Sequence, residues 1–257
     1  ELDLVASDFK DAEHQYKTLE TQVAKLETGF QEMQSQLNET RETLAKKRGR
    51  RVSIENQLNF YEELMETGEG YSGGVRTLLS EDIESMGILG TVADLLTVDE
   101  RYEKAIQTAL GPLAEALVTR DRKSALSAIK ALKDQQAGSA TFLPLEPLLK
   151  AKPKSSVILK GKHVIGAAID FVTPKSGFSD LAQLLLRDVT LVEDEFVADW
   201  NKISGRAVSV DGTLYDTFGL LKGGSGGEGE DTIIGRQDRI QRLREQFSTL
   251  VDEIQKH

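Results

Sequence analysis

The sequence predicts an α+β centre bracketed by two coiled-coil helices. A long apolar repeat at the N-terminal end, a shorter copy of it at the C-terminal end, and a change of period between them carry this reading. Along the first arm, apolar residues alternate at spacings of three and four: Leu2, Val5, Phe9, Ala12, Tyr16, Leu19, Val23, Leu26, Phe30, Met33 and Leu37. The register continues through Leu44, Ile54, Leu58, Tyr61 and Met65, interrupted by the polar residues Thr40, Lys47 and Arg51. A 3.5-residue repeat held this long marks a coiled coil over residues 1–66. At 1.5 Å per residue such a helix runs roughly 100 Å, far more than one facing a globular core.

The second arm, residues 232–257, repeats the pattern through Ile240, Leu243, Phe247, Leu250 and Ile254. Two helices that leave and re-enter one body must run antiparallel if they pair. The arms are unequal, so the short one covers only the part of the long one nearest the body. Residues 1–43 therefore carry a seam without a partner in this chain, as expected if another chain pairs with it or the chain is an excised piece.

Between the arms the period changes. "TVDERYEKAIQTALG" reads as an amphipathic helix, with a capping box from Thr97 to Glu100 and a stop at Gly111. "DRKSALSAIKALK" (121–133) and "GFSDLAQLLL" (177–186) read as further helices. Strands are expected at 115–119, 139–145, 163–172 and 189–193. "RAVSV" and "TLYDTF" form a hairpin whose turn residues, Asp211 and Gly212, are both expected at positive φ. "LLKAKPKSS" (148–156) reads as a linker between two halves.

Composition narrows the function. The chain has 257 residues, a formal net charge of −10, and no cysteine. Disulfides, thiolate zinc sites and cysteine nucleophiles are thereby excluded. The negative charge argues against non-specific polyanion binding by the whole chain but leaves room for a local basic site. No apolar run approaches the roughly 20 residues of a membrane span, and the N-terminus lacks signal-peptide character, so a soluble chain is expected, and the lack of cysteine permits a cytoplasmic location.

"KGGSGGEGED" (222–231) could be a synthetic linker, a phosphate loop or a serine elbow. A P-loop needs its lysine and hydroxyl at the end of the loop, whereas Lys222 precedes the glycines, and Glu228, Glu230 and Asp231 would repel phosphate. Gly223 to Gly227 spells G-x-S-x-G around Ser225. An elbow, however, needs a helix directly after the serine and a later histidine base, and only His257 follows. His14, His163 and His257 share no metal-ligand spacing. No catalytic residue, cofactor site or metal site stands out.

One charge cluster is local. "KKRGRR" places Lys46, Lys47, Arg48, Arg50 and Arg51 around Gly49, with Lys47 and Arg51 on seam positions. It is either a solvated coil face with a register defect or a patch for DNA phosphates. Arg236 and Arg239 on the short arm are candidates for the same contact.

Taken in order, "GYSGGVRTLL" (70–79), "GILGTVADLLTV" (87–98), "YEKAIQTALG" (102–111), "AIKALK" (128–133), "ATFLPL" (140–145) and "VDGTLYDTFGLLKGGSGG" (210–227) resemble the hinge domain of bacterial-type structural maintenance of chromosomes (SMC) proteins. The resemblance implies a two-lobed α/β hinge over residues 67–231, with lobes at about 67–150 and 157–231. It implies homodimerisation into a ring-like unit, with ATPase heads and other SMC-complex subunits belonging to a longer protein, and a nucleoid-associated location. It further implies a dimer contact at Gly219, Gly223, Gly224, Gly226 and Gly227, where the absence of Cβ atoms lets two backbones approach. The zinc hook of a DNA-repair relative is excluded for want of cysteine. A weak, salt-dependent DNA contact near the coil junction completes the expectation. The alternative is a DNA-binding coiled-coil module in which dimerisation is incidental.

Overall fold

The computed structural model describes residues 2–146, 159, 161–194, 205–216, 219–224 and 232–256. It divides into two compact units, residues 1–57 with 243–257, and residues 58–242.

The first unit is helical. It contains most of α1 (Leu2–Thr67) and the end of α7 (Arg236–Gln255). Ile54, Leu243 and Leu250 are buried there, and the Lys47 Nζ lies 3.1 Å from the Glu253 carboxylate. A cation on a seam position is thus answered by an anion from the returning helix. Further toward the N-terminus the seam is bare: Phe9, Tyr16, Leu19, Val23, Leu26, Phe30, Met33 and Leu37 are all exposed. The switch from half-buried Leu44 to exposed Leu37 falls where the short arm runs out, as the arm lengths require.

The second unit holds two main sheets. In the first, β1 (Ile88–Thr91) pairs antiparallel with β3 (Leu117–Thr119), which pairs in parallel with β4 (Phe142–Pro144). The parallel pair needs a crossover, supplied by α5 (Arg122–Asp134), whose Asp121 side chain caps the Ser124 N–H at 2.7 Å. Two short helices, α2 (Gly73–Leu79) and α3 (Val92–Leu95), flank this sheet. The capping box here is formed by Thr91 and Asp94. Thr97, expected to cap the next helix, instead lies in β2 (Leu96–Val98), and α4 (Glu103–Leu110) follows a 3₁₀ turn capped by Asp99.

The second sheet has the order β10-β9-β8-β7-β5, built from β5 (Val164–Ala167), β7 (Val189–Val192), β8 (Arg206–Ser209), β9 (Leu214–Tyr215) and β10 (Leu221–Lys222). Helix α6 (Ser179–Leu186) buries Leu181, Ala182, Leu185 and Leu186. The strand expected over 163–172 is broken by a 3₁₀ turn at Ala168–Phe171, so its end becomes β6 (Val172–Pro174). That strand pairs antiparallel with β2 in a separate two-stranded sheet. One continuous apolar cluster runs from Tyr71 and Val75 through Ile106 and Leu117 to Leu186, Leu191 and Val208.

Between β8 and β9, only Gly212 takes positive φ, at 90°, and Asp211 does not. The Gly212 N–H donates to the Ser209 carbonyl at 3.0 Å and the Ser209 N–H to the Thr213 carbonyl at 2.9 Å. This is a three-residue loop with a left-handed glycine at its end, so the expected two-residue turn is one residue too short. Asp211 instead accepts hydrogen bonds from the Ser209 hydroxyl and the Thr213 N–H, which hold its carboxyl below the usual range. The linker expected at 148–156 lies outside the described residues.

Candidate functional site

The candidate dimer contact begins at the end of the hairpin. The Asp216 N–H donates to the Leu220 carbonyl and the Gly219 N–H to the Asp216 carbonyl, each at 3.0 Å, so the chain turns tightly from β9 into β10. β10 is the edge of its sheet, and both Leu220 and Leu221 are exposed. Within β10 the successive residues Leu221 and Lys222 point to opposite faces and both are exposed, so the edge carries one apolar and one cationic side chain, with the exposed Leu220 just before it.

Of the five glycines expected at the contact, Gly219 and Gly224 have φ of 77° and 138°, and a Cβ on either would meet open space. Gly223 is tighter, since a Cβ there would come within 3.1 Å of the Thr213 hydroxyl. Gly226, Gly227 and Ser225 lie outside the described residues.

A second constellation sits at the N-terminal end of α7. Arg239 donates to the Glu103 carboxylate of α4 and, at 2.9 Å, to the hydroxyl of Tyr61 on α1, and its guanidinium stacks 5.2 Å from the Tyr61 ring centre. Arg242 approaches the same carboxylate at 3.7 Å. Burial lifts the Glu103 carboxyl above its ordinary range, and the charges of Arg239 and Arg242 pull it part of the way back. Gly235 lies directly beneath; a Cβ there would collide with the Glu103 carboxylate.

Arg236 is only 3% exposed and donates to the carbonyls of Thr232 at 3.2 Å and Glu69 at 2.5 Å. These contacts remove Arg236 and Arg239 from the expected DNA-contacting set. Their guanidiniums are spent inside the fold, where withdrawing them would strand a buried carboxylate and a carbonyl.

Beside them, the Tyr71 hydroxyl is pushed up to about 12 by burial and the nearby Asp94 charge. The Asp94 carboxylate also accepts from the Gln237 amide of α7 at 2.9 Å, while Lys175, just past β6, donates to the Gln237 carbonyl oxygen at 3.0 Å.

In the helical unit, Lys46, Arg48, Arg50 and Arg51 are exposed, whereas Lys47 is half-buried against Glu253. Among the described residues no cluster of His, Asp or Glu could hold a metal ion, and no described helix is long and apolar enough to cross a membrane.

The Glu103–Arg239 pair escapes sequence reading because its members are 136 positions apart on helices whose docking no local pattern encodes. The visible signals are a glutamate on the apolar stripe of α4 and a glycine just before α7.

Comparison with known proteins places this geometry. Residues 84–199 match the family described as the SMC proteins flexible hinge domain. The hinge domain of the Pyrococcus furiosus SMC protein is 31% identical, and the match covers 70% of this chain and 95% of that one with a TM-score of 0.50. The chain belongs to the SMC hinge family. A structure of the Geobacillus stearothermophilus SMC hinge, described as an asymmetric dimer, shares the fold at a TM-score of 0.70 and 24% identity, over 87% of this hinge chain and 92% of that one.

The chromosome partition protein Smc of Desulfitobacterium hafniense is 33% identical over 83% of this chain, and that of Bacillus subtilis is 28% identical over 90%. This hinge chain spans 18% and 21% of their respective lengths. The fold expected from the resemblance, a mixed α/β hinge flanked by coiled coil, is the one found. What is matched is the hinge, a structural domain rather than an ATPase head.

Proposed function

We propose that this chain is the homodimerisation hinge of an SMC chromosome-organising ATPase, joining two coiled-coil arms whose heads lie elsewhere in a longer protein. The observation that carries the reading is the β10 edge. Among the described residues no strand pairs with its outer side, Leu220 and Leu221 beside it are exposed, and Gly219 and Gly224 leave space for another backbone. An open edge is a template for strand addition. The dimer described for the Geobacillus stearothermophilus hinge supports the same assignment.

DNA contact is the second part of the proposal. Lys46, Arg48, Arg50 and Arg51 form an exposed cationic stretch on an otherwise acidic chain, suited to phosphates without reading sequence. A nucleoid-associated location would follow from it.

The test is dimer mass by light scattering for the native chain and for Leu220→Glu/Leu221→Glu. The double variant should become monomeric while retaining its circular dichroism. A variant that stays dimeric would leave the β10 edge without this role. The alternative, a DNA-binding module in which dimerisation is incidental, would show undiminished DNA binding in the monomeric variant and a loss only on changing the basic cluster.

A further inference from the structure

The loop between β8 and β9 holds the one Asp-Gly pair of the sequence, Asp211 and Gly212, and the sequence has no Asn-Gly. Asp-Gly pairs are prone to spontaneous isomerisation because glycine has no side chain to shield its amide nitrogen. The glycine nitrogen attacks Cγ of the aspartate and an N–Cγ bond forms. One carboxyl oxygen leaves as water, taking the carboxyl proton and the amide proton, and a succinimide remains. Water then adds back across one of the two ring bonds between nitrogen and a carbonyl carbon. Opening on the side of the main-chain carbonyl leaves an isoaspartate, with the composition unchanged and the chain one backbone atom longer.

In this loop both reacting groups are engaged, although Asp211 itself is exposed to water. The Gly212 N–H donates to the Ser209 carbonyl at 3.0 Å, which ties the nucleophile back to β8. The Asp211 carboxylate accepts from the Ser209 hydroxyl and, at 3.0 Å, from the Thr213 N–H. Hydrogen bonds to the charged form favour it, and only the protonated carboxyl releases its oxygen as water. Ser209 is 1% exposed, so water does not compete for its hydroxyl.

The surroundings act in the same sense. Lys104 of α4 adds a favourable charge for the carboxylate, and the Asp194 carboxylate, just past β7, accepts the Asp211 N–H at 2.8 Å and holds the backbone. Gly212 is buried against α4, where a Cβ would come within 3.1 Å of the Thr108 hydroxyl, so the loop has little room to swing Cγ over the nitrogen.

We infer that the buried Ser209 hydroxyl guards Asp211 against isoaspartate formation. An extra backbone atom here would enter the turn of a hairpin paired at Ala207 with Tyr215 and at Val208 with Leu214, whose second strand carries β10. A polar residue thus ends the apolar run of β8 because its hydroxyl has chemistry to suppress. Neither dimerisation nor contact with DNA enters this reading.

Isoaspartate is followed over time in the full chain at neutral pH, counted by enzymatic methylation of isoaspartyl carboxyls and located by peptide mapping. The native chain is compared folded and unfolded in urea, beside folded Ser209→Ala, Ser209→Cys and Ser209→Thr. Hydrogen bonds to a charged group are strong enough to change the protonated fraction about tenfold. The folded native chain should therefore isomerise at Asp211 about tenfold or more slowly than the unfolded one, and Ser209→Ala about tenfold faster than the folded native chain. Ser209→Cys keeps a side chain of similar shape but is a weak donor, and should also be faster, whereas Ser209→Thr keeps the hydroxyl and should match the native rate.

Equal rates in the folded and unfolded native chain overturn the inference. Native rates in both Ser209→Ala and Ser209→Cys do so as well, assigning the protection to the geometry of the turn alone. An equal rise in Ser209→Thr overturns it by tracing the loss to a disturbed loop. If Ser209→Ala loses its native circular dichroism, Ser209→Cys decides.

Discussion

Replacing Arg239 with alanine removes the group that holds α7 to both α4 and α1. The Glu103 side chain is 3% exposed and that of Arg239 is 21% exposed, so the pair lies in the buried regime rather than at the surface. Removing one partner of such a pair costs about 3–5 kcal/mol, chiefly because the other charge is left without compensation. Here the lower end applies, since Arg242 remains at 3.7 Å, though its own side chain is 41% exposed. Loss of the stack on Tyr61 adds about 0.5–1 kcal/mol.

For a unit of this size about 3 kcal/mol corresponds to a fall in Tm of about 6–12 °C. Thermal unfolding followed by circular dichroism at one fixed protein concentration reads this directly, the concentration being held because association shifts Tm. Glu103→Gln should cost less, because it removes the buried charge while keeping the shape. If Arg239→Ala lowers Tm by less than about 2 °C, the pair does not clamp the coil root.

Four further outcomes follow. The Glu103 carboxyl is raised in the fold, so the native state holds that proton to higher pH than the unfolded chain does. Its contribution to stability is therefore greatest at acid pH and declines as pH climbs above the unfolded value of about 4.3; in Glu103→Gln this part of the pH dependence should vanish from unfolding curves. Gly235→Ala places a methyl group against the same carboxylate at a φ of 80°, and should destabilise by about 1–3 kcal/mol or more in denaturant titration. Arg206 donates to the carbonyls of Ala109 and Leu185 at 2.7 and 2.9 Å and bridges to Asp188, so Arg206→Ala should cost about 2–4 kcal/mol in the same assay. Burial works to raise the Asp188 carboxyl, but its hydrogen bond to Arg206 and the arginine's charge outweigh this and lower it; the stabilisation is present above about pH 4 and is lost as pH falls through the folded value. Finally, Phe30→Glu changes a residue that is 67% exposed, and should leave Tm within the equivalent of about 0.5 kcal/mol, whereas Ile54→Glu, buried at 6%, should not.

How far the sequence foretells this structure depends on the range of each interaction. The heptad seam, the helix over 121–133 and the stop at Gly111 are local, and the residues announce them. The run 163–172 reads as one strand because a 3₁₀ turn and a strand can share an apolar pattern, and only pairing with β2 shows where one ends. The box expected from Thr97 to Glu100 fails because Thr97 is held in β2 by pairing with β6, a tertiary constraint stronger than a cap preference.

The arginines of α7 illustrate the same limit for function. As sequence they resemble any cationic coil face, and only the fold shows that Arg236 is buried while Arg48 and Arg50 are exposed.

Whether the β10 edge joins two copies into one unit is read directly from mass in solution. Light scattering at tens of micromolar should return twice the 28.3 kDa of the single chain, falling to that single value for Leu220→Glu/Leu221→Glu. A native chain that stays at 28.3 kDa across that concentration range would contradict it.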